Sequence, residues 1–71
     1  MRTKKSDMTL QIDIRAMRRE ANVGLDDAAE WMQVPRSTLA HVENGKVPSL
    51  GHALRIAAFM KMDVEQIWKL S

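Results

Sequence analysis

Apolar residues recur at helical spacing along most of the chain. Leu10, Ile14, Met17 and Ala21 come every three or four residues, with Gln11, Arg15 and Arg19 on the opposite face, which predicts a first helix over residues 10–21. Asn22-Val23-Gly24 breaks it, and asparagine or glycine there suits a cap or a left-handed position. Leu25, Ala28, Ala29 and Met32 make the buried stripe of a second helix. Its first turns hold Asp26, Asp27 and Glu30, where the positive end of the helix dipole favours carboxylates. The two alanines suit a close crossing with another helix.

Gln33-Val34-Pro35 is a short connection, since a residue before proline avoids the α region and proline fits a first helical turn. A third helix is predicted over residues 36–43, with Leu39 and Val42 inward, and Asn44-Gly45 ends it. Ser49 is a natural N-cap for a fourth, whose apolar face is Leu50, Ala53, Leu54, Ile56, Ala57 and Met60. Asp63-Val64-Glu65-Gln66 matches a capping box opening a last helix over residues 64–70. No stretch sustains period-two alternation. The expected fold is all-α, five short helices, with residues 1–8 a flexible basic arm and residues 9–71 a single domain.

Composition narrows the function classes. With 71 residues, folding buries roughly 60% of the unfolded chain's surface, enough for one modest core. There is no cysteine, hence no disulfide framework, thiolate zinc site or cysteine nucleophile. No apolar run approaches bilayer length, and no apolar segment follows the charged start, so a cytoplasmic location without membrane association is expected. The formal net charge of +2 is unevenly spread: residues 1–19 carry +4, residues 20–35 carry −4 and residues 36–71 carry +2. A basic face is therefore possible, and folded geometry decides it.

The run from Val23 to Gly45, with Arg36-Ser37-Thr38-Leu39 and Glu43-Asn44-Gly45 at the right distance from Ala29, resembles the helix-turn-helix of phage Cro and CI-type repressors (the XRE family). The likeness extends upstream through Ile14-Arg15-Ala16-Met17-Arg18-Arg19-Glu20 and downstream through Pro48-Ser49-Leu50 and Leu54-Arg55-Ile56-Ala57, so it covers most of the chain. It implies a five-helix lambda-repressor-like domain whose second and third helices form the motif. The third helix would enter the major groove, which is about one helix wide. The family usually has glycine in the turn. Gln33 stands there instead and requires a non-glycine residue at positive φ.

Carried over by position, Arg36, Ser37, Ala40 and His41 form the base-reading face. Arginine can bind guanine O6 and N7 bidentately, worth roughly 1–3 kcal/mol of discrimination. Ser37 can bond a base or a phosphate, Ala40 offers apolar contact to a thymine methyl, and His41 can donate. The plainer alternative is a solvated helix face. Thr38, Asn44 and Lys46 are phosphate candidates, although Thr38 also suits a first helical turn and Asn44 a C-cap. At the start of the second helix the family presents polar side chains, whereas this chain has Gly24 and Leu25. Backbone N–H groups could bind an oxyanion there, with Asp26 and Asp27 opposing it. The expected compensation comes from Lys46 and the arm residues Arg2, Lys4 and Lys5, whose alternative reading is a solubilising tail. Arg18 and Glu43 occupy positions that form an ion pair in the family. Ile67, Trp68 and Leu70 on the last helix are expected at a homodimer interface, the alternative being that Trp68 closes the monomer core.

An enzyme is not indicated. His41 and His52 lie on different helices without paired ligand spacing, which argues against a metal site; Ser37-Thr38 has no base beyond His41; there is no glycine-rich phosphate loop. No cofactor and no small-molecule ligand are expected. The expected partners are double-stranded DNA, a second copy of the chain, and RNA polymerase where the bound protein touches it. At this length no separate effector or cleavage domain is expected, and small phage regulators and restriction–modification controller proteins are similar in size, pointing to a bacterial or phage source. The competing reading is an antitoxin- or adaptor-like protein-interaction module on the same fold, favoured by Trp31, an aromatic where the family is usually polar.

Overall fold

The computed structural model describes residues 8–70. Its elements in chain order are β1 (Met8–Leu10), α1 (Ile14–Glu20), α2 (Leu25–Met32), α3 (Arg36–Glu43), α4 (Leu50–Met60), α5 (Val64–Ile67) and β2 (Trp68–Leu70). Helix α2 packs against both α3 and α4, and α4 against α5. One core joins them: Ile14 of α1, Ala28, Ala29 and Met32 of α2, Val34 of the turn, Leu39 and Val42 of α3, Ala53, Ile56 and Ala57 of α4, then Ile67 and Trp68. The two alanines of α2 let α3 and α4 approach closely.

Local chemistry sets most of the boundaries. Asp13 Oδ1 accepts from the Ala16 N–H at 2.9 Å and starts α1. Ser49 Oγ caps α4 through the His52 N–H. Gln66 Oε1 accepts from the Asp63 N–H at 2.8 Å as part of the capping box of α5. Helix α3 ends at Asn44, and Gly45 follows at φ +100°, a conformation that L side chains rarely adopt.

The chain ends depart from the expected all-α plan. β1 and β2 form a two-stranded antiparallel sheet with Met8 opposite Leu70, Thr9 opposite Lys69 and Leu10 opposite Trp68. The first helix starts at Ile14 rather than residue 10, and the last stops at Ile67 rather than residue 70. Asp13 provides a cap that the apolar spacing alone does not reveal, and the segment before it is free to pair with the other end of the chain. The Gln11 N–H donates to Ile67 O at 2.9 Å, and Gln11 Nε2 reaches the Glu65 and Gln66 carbonyls at the end of α5. Three-residue strands are too short for period two to register in the sequence. The basic arm expected over residues 1–8 otherwise lies outside the described residues; Met8 belongs to β1.

The stripes are narrower than expected. Met17 and Ala21 of the first, and Leu50 and Leu54 of the fourth, are exposed. Pro35 is the N-cap of α3, one position before the first turn. Ile67 and Trp68, expected at a dimer interface, are instead enclosed in the monomer core, because the extended backbone at Trp68 turns the indole inward; only Leu70 of that trio is exposed. Among the described residues the Trp68 indole N–H has no hydrogen-bond acceptor.

Candidate nucleic-acid interface

The geometry that presents α3 begins at the turn. Gln33 is the C-cap of α2 in the left-handed conformation at φ 63° and ψ 41°, its N–H bonded to the Ala29 and Glu30 carbonyls. The next N–H, of Val34, donates to Ala29 O at 3.0 Å while its side chain is buried. Arg55 Nη1 of α4 donates to Gln33 O at 3.1 Å, so the reversed backbone is held from the far side as well. These contacts stabilise a conformation that costs roughly 1–2 kcal/mol for a non-glycine residue.

With Leu39 and Val42 buried against α2 and α4, the remaining faces of α3 look outward. Arg36, Ser37 and His41 are exposed, and Thr38 and Ala40 are half-buried. Arg36 Nε forms an ion pair with Asp26 Oδ1 of α2, and both side chains remain mostly in water. Thr38, His41, Lys46 and His52 line an open hollow of about 200 Å³ between α3 and the start of α4. In the sequence His52 bears only on metal ligation; its position in the first turn of α4, capped by Ser49, brings it to this hollow. Gly24 is the exposed N-cap of α2 without a side-chain cap, and Leu25 packs partly against the core, so that helix end offers backbone N–H groups alone.

Behind α3 stands a partly buried charge cluster. Arg18 donates from Nε to Glu43 Oε2 at 2.8 Å and from Nη2 to Oε1 at 3.0 Å, a bidentate fork, and its Nη1 bonds Val23 O. Arg15, expected on the solvent face, also reaches inward: Nε donates to Glu43 Oε1 at 3.3 Å and Nη2 to Asn44 Oδ1 at 2.7 Å. The signal for it was available, since Arg15 lies one turn before Arg18 on the same side of α1. Asn44 is thereby both the C-cap of α3 and a partner of α1. The Glu43 side chain is only 2% exposed. Burial alone would push its carboxyl up, but the hydrogen bonds from Arg18 and Arg15 and their charge outweigh burial and hold it below the usual carboxylate value. The hydrogen bond to Glu43, aided by its charge, raises the Arg18 guanidinium above its ordinary value despite desolvation. The cluster joins α1 to the C-terminal end of α3 and so fixes the attitude of the helix.

Ala28, Ala29, Gln33 and Glu43 thus build a presenting device in which one helix is exposed along its polar side and clamped at its C-terminal end. Among the described residues no group of acidic and histidine side chains could hold a metal ion, and no helix is long and apolar enough to cross a membrane. No curated protein matches the chain. A family model described as a helix-turn-helix domain matches residues 12–68, from just before α1 to the first residue of β2, so the chain belongs to the helix-turn-helix domain family of DNA-binding proteins.

Proposed function

We propose that the protein is a transcription regulator of the Cro/CI kind that reads an inverted-repeat operator as a homodimer, with α3 in the major groove. The observation that carries this reading is the exposed row Arg36, Ser37 and His41 on a helix whose opposite side is locked into the core. Arg36 is the reader of guanine, Ser37 and His41 contribute donors, and Ala40 offers a methyl surface to thymine. Thr38, Lys46, the Asn44 amide and the N–H groups after Gly24 and Leu25 supply phosphate contacts that set register without reading sequence. Asp26 pairs with Arg36 in the absence of DNA, and because both side chains are mostly in water the pair is exchanged for a guanine contact at little cost.

Exposed Val47, Leu50 and Leu54 support dimerisation, the last two one turn apart on α4 and all three following directly from the Lys46 loop. Two copies joined along this stripe would present two α3 helices to half-sites one helical turn, about 34 Å, apart. Repression follows from occupying a promoter, and activation from touching RNA polymerase when bound beside one.

The test is selection of bound duplexes from a random pool at two salt concentrations. A two-fold motif with half-sites one helical turn apart, and affinity falling steeply with salt, is the expected result. Retention without any enriched motif would remove sequence-specific regulation from the account.

A further inference from the structure

A second face remains unused by this reading. Trp31 of α2 is 53% exposed, and its ring stacks on that of Phe59 of α4 with centroids 6.3 Å apart and an interplanar angle of 29°. Beside Phe59 a cleft of about 260 Å³ runs between α1, α2 and α4, lined by apolar groups including Met17, Ala21, Met32 and Met60. Helical spacing places Asp27 one turn before Trp31 and puts Glu30 on the same exposed side of α2, while Glu20 lies one turn after Met17 on α1. Of the arginines near this surface, Arg18 is paired with Glu43, whereas Arg55, beside Trp31 and Phe59, bonds the neutral Gln33 carbonyl and keeps its charge. Lys61 stands at the end of α4. The result is a stacked aromatic pair and an adaptable methionine cleft bordered by carboxylates.

We infer that this face docks an amphipathic helix of a partner protein, with one apolar side chain seated in the cleft and lysine or arginine residues within a turn of it facing Asp27, Glu30 and Glu20. Exposed tryptophan is the side chain most enriched among interface anchors, and methionines reshape to fit an incoming group. Charge selects the occupant. Nucleic acid is repelled by the same carboxylates that attract a basic helix. A two-fold contact between copies would bring two copies of the same carboxylate-bordered patch together, since such an interface uses the same patch on both partners. The inference is independent of which duplex, if any, the protein reads.

The probe is a displayed library of random 16-residue peptides, selected on the full-length protein and read by the indole N–H resonance of Trp31, with buried Trp68 as internal reference. Enriched peptides should carry an apolar residue flanked by lysine or arginine at helical spacing and should shift Trp31 but not Trp68. They should lose at least tenfold in affinity to Trp31→Ala and to Phe59→Ala. Asp27→Asn with Glu30→Gln should weaken them and remove their salt dependence. Because all four residues are exposed, these variants should keep the wild-type spectrum elsewhere. Absence of enrichment, acidic or uncharged winners, or binding that survives Trp31→Ala would overturn the inference. So would a concentration-dependent shift of Trp31 without peptide, which would assign the face to a second copy.

Discussion

Two arginine–carboxylate pairs flank α3, one at each end, and they differ in almost everything but chemistry. At its C-terminal end Arg18 and Glu43 are enclosed, with side chains 12% and 2% exposed, doubly hydrogen-bonded and reinforced by Arg15. At its N-terminal end Arg36 and Asp26 are 68% and 77% exposed and share one contact. A buried charge that loses its partner has no water to turn to, so the first pair binds α1 and α3 into one unit. An exposed pair exchanges its partner for water at little cost, so the second leaves Arg36 available. One pair sets the position of the helix and the other keeps its reading residue in reserve.

Removing the buried partner should have the largest effect. Glu43→Ala strands Arg18 and Arg15 and is expected to cost about 3–5 kcal/mol of stability by urea or thermal unfolding. Arg18→Ala should cost less, because Arg15 still donates to Glu43, yet clearly more than Arg19→Ala on the exposed side of α1. Equal losses for Arg18 and Arg19 would remove the distinction between the two ends. At the other end, Arg36→Ala should leave the melting temperature nearly unchanged while lowering affinity for a selected operator roughly tenfold to a hundredfold, the equivalent of about 1–3 kcal/mol. A matching loss of stability would mean that the exposed pair is structural as well.

Acid gives a smaller and more specific reading. The Glu43 carboxyl is depressed in the folded protein, so its contribution is complete above the unfolded value near 4.3 and is lost as pH falls through the lower folded value. Unfolding free energy measured across that range should decline toward acid, and Glu43→Gln should flatten the decline by removing the titrating group. An unchanged slope in the variant would assign the acid sensitivity to other carboxylates. The smallest change is expected from Asp26→Asn: stability within about 0.5 kcal/mol, and affinity for arbitrary duplexes raised about fivefold at most, since an exposed pair is worth 1 kcal/mol or less. A larger gain would mean that Asp26 does more than pair with an exposed Arg36.

The legibility of these regions follows from how far apart the interacting residues lie in the chain. Helix α3, its exposed row and its Asn44-Gly45 stop are local features: apolar spacing, a proline before the helix and a glycine after it suffice. Ser49 and the Asp63–Gln66 box are legible for the same reason, each cap acting over three residues. Arg18 and Glu43 were reached through resemblance, while Arg15 was missed because a side chain at the edge of a helix looks outward until a neighbouring helix supplies an acceptor.

What the sequence determined by itself was the succession of helices, the position of the short turn between α2 and α3, and the residue types that α3 shows to solvent. Those depend on backbone sterics, capping and the period of 3.6 residues, all of which act within a few positions. Tertiary structure alone decided that Met8–Leu10 and Trp68–Leu70 pair as strands, because strand hydrogen bonds need a partner from the other end of the chain. It also decided that Ile67 and Trp68 fill the core instead of a dimer interface, and that Trp31 meets Phe59 at the surface. An apolar side chain states only that water is unfavourable to it; which surface covers it, or whether any does, depends on the packing of the elements around it.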